Sequence, residues 1–160
     1  MENEIEILIF GENSLKGQKH KVRCASALIG VVEKFTGGGI SVTEIAVFDE
    51  DGDELLEVTE VAGRPHHGKN RIVHCHRCKH VKVHVFYNGE ATLEVRPARR
   101  IHKIQDWAIN HFKVDKHRRW CLRLEADGEP LQQDIHVGSL TSYPDCSVKL
   151  YLMEFHKPQG

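Results

Sequence analysis

Hydrophobic and polar positions alternate in two widely separated stretches of this chain, and each stretch opens the same succession of elements. Val81-Lys82-Val83-His84-Val85-Phe86-Tyr87 places valine at every second position, the period of a half-buried strand. Asn88-Gly89 follows, a pair favoured in tight hairpins because both residues tolerate positive φ, and Thr92-Leu93-Glu94-Val95-Arg96 returns as the partner strand. Pro97 marks a helix start, and Ile101, Ile104, Ala108 and Phe112 recur on one helical face. Trp120-Cys121-Leu122-Arg123-Leu124 reads as a strand and Ala126-Asp127-Gly128-Glu129-Pro130-Leu131 as a turn. Ile135–Leu140 is a short apolar connector, and Ser147-Val148-Lys149-Leu150-Tyr151-Leu152-Met153 is the last strand.

The first half runs through the same list. Ile5-Glu6-Ile7-Leu8-Ile9-Phe10 is a β-rich run, and Gly11 and Gly17 bracket the turn to Lys19-His20-Lys21-Val22-Arg23-Cys24. Ser26 offers an N-cap to a helix with Leu28, Val31, Val32 and Phe35 on one face, ended by Gly37-Gly38-Gly39. A strand at Ile45-Ala46-Val47-Phe48 leads into an acidic turn at Asp49–Asp53. The polar, Gly- and Pro-containing stretch Glu57–Asn70 reads as loop, and Arg71-Ile72-Val73-His74-Cys75-His76 closes the half as a strand. The order is therefore strand, strand, helix, strand, loop, strand, twice. It divides the chain into a domain at 1–78, a domain at 79–153 and a polar tail at 154–160. Each is an α+β unit with one helix packed on a mixed sheet. The first and last strands of each copy are the most apolar and are expected at the centre of their sheet.

Composition adds little to the fold but narrows the chemistry. In 160 residues there are 22 Lys+Arg against 23 Asp+Glu, and 40% of residues are apolar, which is enough for a core and argues against disorder. No apolar run reaches membrane-spanning length, and the acidic start Met1-Glu2-Asn3-Glu4 lacks the apolar segment of a signal peptide. Residues 1–79 carry 10 basic and 13 acidic side chains and residues 80–160 carry 12 and 10, so an acidic copy precedes a basic one. A near-neutral total disfavours a dedicated nucleic-acid binder. Five cysteines without secretory context are expected as reduced thiols in a cytoplasmic protein. Histidine is the outlier, with 12 in the chain.

Four of those histidines, His74, His76, His80 and His84, fall on one phase of a single strand expected to join the two copies, where they form a polar face or a pH-sensitive contact between the domains. Cys75-His76-Arg77-Cys78 has CxxC spacing, but on an extended strand its two thiols point to opposite faces and cannot share one ion. A metal site built from His74, His76 and Cys78 is the geometrically allowed alternative to no metal at all. Cys24, Cys121 and Cys146 lie in or beside apolar runs and read as small core residues. The sequence contains no hydrolase nucleophile motif, phosphate-binding glycine loop or HExxH, so no enzyme activity and no cofactor are expected. Arg96, Arg99, Arg100 and Lys103 give the second copy a basic side, read either as a solvated helix face or as a surface for docking an acidic patch of a partner enzyme. Nucleic acid fits it less well, because no aromatic residues interleave with these charges. Trp107 and Trp120 read as anchors of the second core.

The element order, the copy size and the Asp-Gly turn resemble the ubiquitin-like β-grasp family. The junction from Arg71 to Val85 has almost no linker and is similar to that of tandem modifiers, the vertebrate interferon-induced double-ubiquitin modifier and the BilA-like proteins of bacterial antiphage Bil operons. The resemblance covers the whole chain. It implies a modifier whose C-terminal glycine, here Gly160, is adenylated, passed to cysteine thiols of an activating and a conjugating enzyme, joined to an amine of a target protein and released by a deconjugating peptidase. The targets implied are phage structural proteins. Glycine suits that role because no Cβ hinders attack on its carbonyl or entry into a narrow cleft. Ubiquitin-type tails end in Arg-Leu-Arg-Gly-Gly, whereas this tail reads Lys157-Pro158-Gln159-Gly160, with one glycine and a proline-fixed φ. The resemblance therefore implies dedicated partner enzymes that read Lys157, Pro158 and Gln159. The alternative is a double β-grasp scaffold that binds partners without being conjugated.

Overall fold

The computed structural model describes residues 4–11, 17–23, 26–35, 46–49 and 70–155. The first sheet contains β1 (Glu4–Phe10), β2 (Gln18–Arg23), β3 (Ala46–Asp49) and β4 (Asn70–His76), in the order β2-β1-β4-β3. The second contains β5 (Val81–Phe86), β6 (Glu90–Val95), β7 (Trp120–Arg123) and β8 (Ser147–Glu154), in the order β6-β5-β8-β7. In each sheet the two central strands run parallel and each edge strand pairs antiparallel to its neighbour. One helix crosses each sheet, α1 (Leu28–Phe35) and α2 (Ile101–His111). The chain is thus two β-grasp domains in tandem, with the expected strands at the centre of each sheet. The triglycine and the acidic turn after Asp49 lie outside the described residues.

Alternation decides what each sheet buries. Ile5, Ile7 and Ile9 on β1 and Val73 and Cys75 on β4 face Leu28, Val31 and Val32 of α1. The side chain of Phe35 lies outside the described set. In the second domain Val81, Val83, Val85, Val148, Leu150 and Leu152 face Ile101, Ile104 and Ala108 of α2. Trp107 and Trp120, both half-buried, pack against this core. Each fully buried aliphatic side chain contributes about 1.5–3 kcal/mol relative to exposure. At the β5–β6 hairpin Asn88 has φ 47° and Gly89 φ 145°, which is the backbone requirement that selects this pair.

Three expectations are corrected. Pro97 does not start α2. The helix begins four residues later, because residues 97–100 pair with the connector: Gly138 N–H donates to the Pro97 carbonyl and Val137 N–H to the Arg99 carbonyl. The junction is not one strand, since β4 ends at His76 and β5 begins at Val81. Finally, Cys78 and Cys146 are joined in a disulfide, so neither is a free thiol and Cys146 is not a core residue. Cys75 and Cys121 remain free and buried, and Cys24 lies outside the described residues.

Candidate functional site

The reverse face of the first sheet, turned away from α1, is built by the other phase of the same strands. Phe10 pairs with His74 in the β1–β4 register, Phe48 pairs with His74 across β3–β4, and Ala46 pairs with His76. This puts Phe10, His74 and Phe48 in one row and Ala46 and His76 in the next. The second domain covers these rows. Ala98 packs on Ala46 and Phe48, the Arg96 guanidinium sits over the Phe48 ring at 5.9 Å, and His136 meets both Phe10 and His74. Phe48 has 0% of its surface exposed.

Three histidines converge at this seam. His74 and His76 extend from β4 two residues apart, with nearly parallel rings 6.4 Å apart. His136 approaches from the other domain, 4.3 Å from the His74 ring and 5.2 Å from the His76 ring, inclined to them by 63° and 64°. One ring nitrogen from each lies within 4.8 Å of the other two, and all three residues are buried. His136 is held by its backbone at the head of the 3₁₀ turn Val137–Leu140. Its carbonyl accepts the Ser139 N–H and, at 2.7 Å, the Ser139 hydroxyl, and residue 136 bridges to Arg100. Gly138 lies directly against the His76 ring. A Cβ there would come within 2.5 Å of His76 Cε1 and 2.7 Å of Pro97, so only glycine lets the turn approach this closely.

Burial determines the ionisation of the site. It holds His74 down to about 3, and the charge of His76 opposes protonation further. His136 is also lowered to about 3, by burial first and then by His74 and Arg100, against a hydrogen bond with the Gly11 backbone that favours protonation. Both rings are neutral near pH 7. Neither ring nitrogen of His74 and not Nε2 of His136 has a hydrogen-bond partner. On the opposite face of β4, burial pushes the Cys75 thiol up to about 12, which makes it a poor nucleophile.

The remaining predicted residues fall in three places. His74 and His76 come together at the seam, but Cys78 cannot join them as a ligand because its sulfur is bonded to Cys146. The strand break separates His80 and His84 from them. These lie outside the seam, beside Glu94 and Glu90 at 3.3 and 2.8 Å. Of the basic face, Arg96, Arg99 and Arg100 are half-buried and only Lys103 is exposed. Arg96 donates to the Lys79 carbonyl and Arg100 to the Asp134 carbonyl, so these side chains stitch the seam and the connector before they offer charge to a partner. The tail is described as far as Phe155, whose N–H donates to the Arg119 carbonyl and extends the last strand by one bond. Lys157, Pro158, Gln159 and Gly160 lie outside the described residues. Sequence reasoning missed His136, a lone histidine in an apolar connector; Gly138 two residues later was the available sign of a close approach.

Residues 82–155 match the family model described as BilA ubiquitin-like domain 2. Among solved structures, ubiquitin of Caldiarchaeum subterraneum aligns at 17% identity and a TM-score of 0.38, over 50% of this chain and 99% of that one. No curated protein matches. Among the described residues, no helix is long and apolar enough to cross a membrane.

Proposed function

We propose that this BilA-like tandem ubiquitin-like protein is a protein modifier, joined to targets through the carboxyl group of Gly160 after any following residues are removed. The match of the second domain to BilA ubiquitin-like domain 2 carries the reading. That domain is also the one whose last strand leads into the tail. The chemistry is the passage of an acyl group: ATP converts the glycine carboxylate to an adenylate with release of pyrophosphate. An enzyme thiolate then displaces AMP to give a thioester, and a target amine displaces the thiolate to give an amide. This chain contributes the acyl group and the surfaces that enzymes recognise, and no catalytic side chain. The working place is bacterial antiviral defence in the cytoplasm, with phage structural proteins as targets. An activating enzyme, a conjugating enzyme and a deconjugating peptidase are its partners.

The test is a reaction with ATP and an activating enzyme from an operon of the Bil type, analysed on a non-reducing gel. A band of the summed mass that disappears with thiol, and that a Gly160 deletion does not form, supports conjugation. With no band, or one that survives the deletion, the chain is a non-covalent scaffold instead.

A further inference from the structure

We infer that His74, His76 and His136 form a zinc site that clasps the two domains together. Three observations on separate elements point to it. The donors are convergent and inaccessible: three imidazoles from two domains, buried to 3%, 1% and 4% exposure, present ring nitrogens within 4.8 Å of one another. Tetrahedral zinc with Zn–N near 2.0–2.1 Å needs nitrogens about 3.4 Å apart, so the rings must close by at most about 1.4 Å, within reach of small side-chain rotations. Second, both nitrogens of His74 are buried without a hydrogen bond, a costly arrangement that ligation through one of them relieves in part. Third, His136 carries the outer support typical of a metal ligand. Its bond to the Gly11 backbone leaves Nε2 as the donor without a partner, which fixes the ring orientation and the tautomer.

The donor set selects the ion. Three imidazoles with no carboxylate among them suit zinc and its first-row neighbours, and not calcium or magnesium, which require oxygen. His74 and His136 also line a cleft of about 260 Å³ bordered by Phe10, Arg100, Asp134 and Ser139, which has room for water as a fourth ligand. Arg100 opposes a cation there, but its guanidinium is turned to the Asp134 carbonyl, and Asp134 lines the same cleft. Because β4 supplies two ligands and the turn before Val137 supplies the third, an ion binds only when the domains are docked. Its binding energy is therefore docking energy.

The full chain, dialysed against chelator, is titrated with Co²⁺ and then Zn²⁺ near neutral pH. The expected result is one ion per chain, with the visible bands of four-coordinate cobalt that zinc abolishes. His136→Ala should weaken binding by about 100-fold or more. His74→Phe keeps the stack on Phe10 and the packing of the seam, so its loss of binding reports a ligand and not a misfolded domain. Gly138→Ala, which pushes on His76, should also weaken binding, whereas His117→Ala on the exposed surface should leave it unchanged. The inference is overturned by a stoichiometry well below one, by binding that His74→Phe and His136→Ala do not change, or by binding that instead follows His66→Ala and His67→Ala.

Discussion

Replacing Phe48 with alanine isolates the energy of the seam from that of either core. The side chain is fully buried, yet it belongs to the face of β3 turned away from α1, where its neighbours are Ala46, His74, Ala98 and Arg96. Removing a buried phenylalanine ring costs about 3–5 kcal/mol, the sum of lost transfer energy and the cavity left between elements that cannot fully collapse. The cation–π contact with Arg96 is part of that sum, at about 0.5–1 kcal/mol. Had the two domains been independent, Phe48 would face water and the substitution would cost less than about 0.5 kcal/mol. Both tryptophans, Trp107 and Trp120, are in the second domain, so fluorescence follows that domain while far-ultraviolet circular dichroism follows both. In urea the two signals should coincide for the unsubstituted chain. In Phe48→Ala the dichroism should split, with the first domain unfolding earlier by about 3 M if its slope is about 1 kcal/mol per molar. Coincident, unshifted transitions in the variant would refute the docked arrangement.

Two further outcomes follow from the same region. Without metal, His74 and His136 titrate near 3 in the folded chain and near 6.5 in the unfolded one. The unfolded state then binds the extra protons, so stability falls as pH drops from about 6.5 toward 3. At pH 4.5 each group costs about 3 kcal/mol, and the two costs add, because at that pH both rings are still neutral in the folded chain and do not interact in the unfolded one. Arg100 beside His136, and His76 beside His74 when it is protonated, act in the same direction. Urea titrations of chelator-treated protein at pH 7 and 4.5 measure the loss, and an NMR titration that puts either ring near 6.5 sinks the argument. The Cys78–Cys146 bond closes a loop with a sequence separation of 68, for which chain entropy gives about 4 kcal/mol. Reduction should lower the unfolding midpoint of the second domain most, and an unchanged tryptophan-fluorescence transition in reductant would show that the bond contributes nothing.

What could be read from the sequence was local. Period-two valines, the Asn-Gly pair and helical spacing at Ile101, Ile104 and Ala108 each depend on residues a few positions apart, and each element formed where the pattern lay. Repetition of that order then indicated two domains. The seam was not legible in this way. His76 and His136 come from different domains, and nothing in the residues around His136 marks it as a partner for β4. The phase rule also failed once it was carried across the junction. Strand alternation holds only while the backbone stays extended, and residues 77–80 break it, so His80 and His84 turn outward while His74 and His76 turn in. The same break frees Cys78 from the geometry assumed for CxxC and brings it to Cys146, whose backbone carbonyl also accepts the Lys82 N–H. Pro97 is a related case: a good local signal for a helix start lost to a non-local pairing with Gly138.

The two sheets differ in one respect that bears on recognition. The reverse face of the first is spent on the neighbouring domain, whereas the reverse face of the second, with the stacked pair Phe86 and Tyr151 and with Met153 beside them, borders an open groove. Doubling the fold therefore does not double the valency. Among the described residues, a partner that reads β-grasp sheets would find one such surface, carried by the domain that also leads to the tail. On the modifier reading proposed above, the first domain would be carried as a handle whose direction is set at the seam, and would add bulk at a fixed angle to a target.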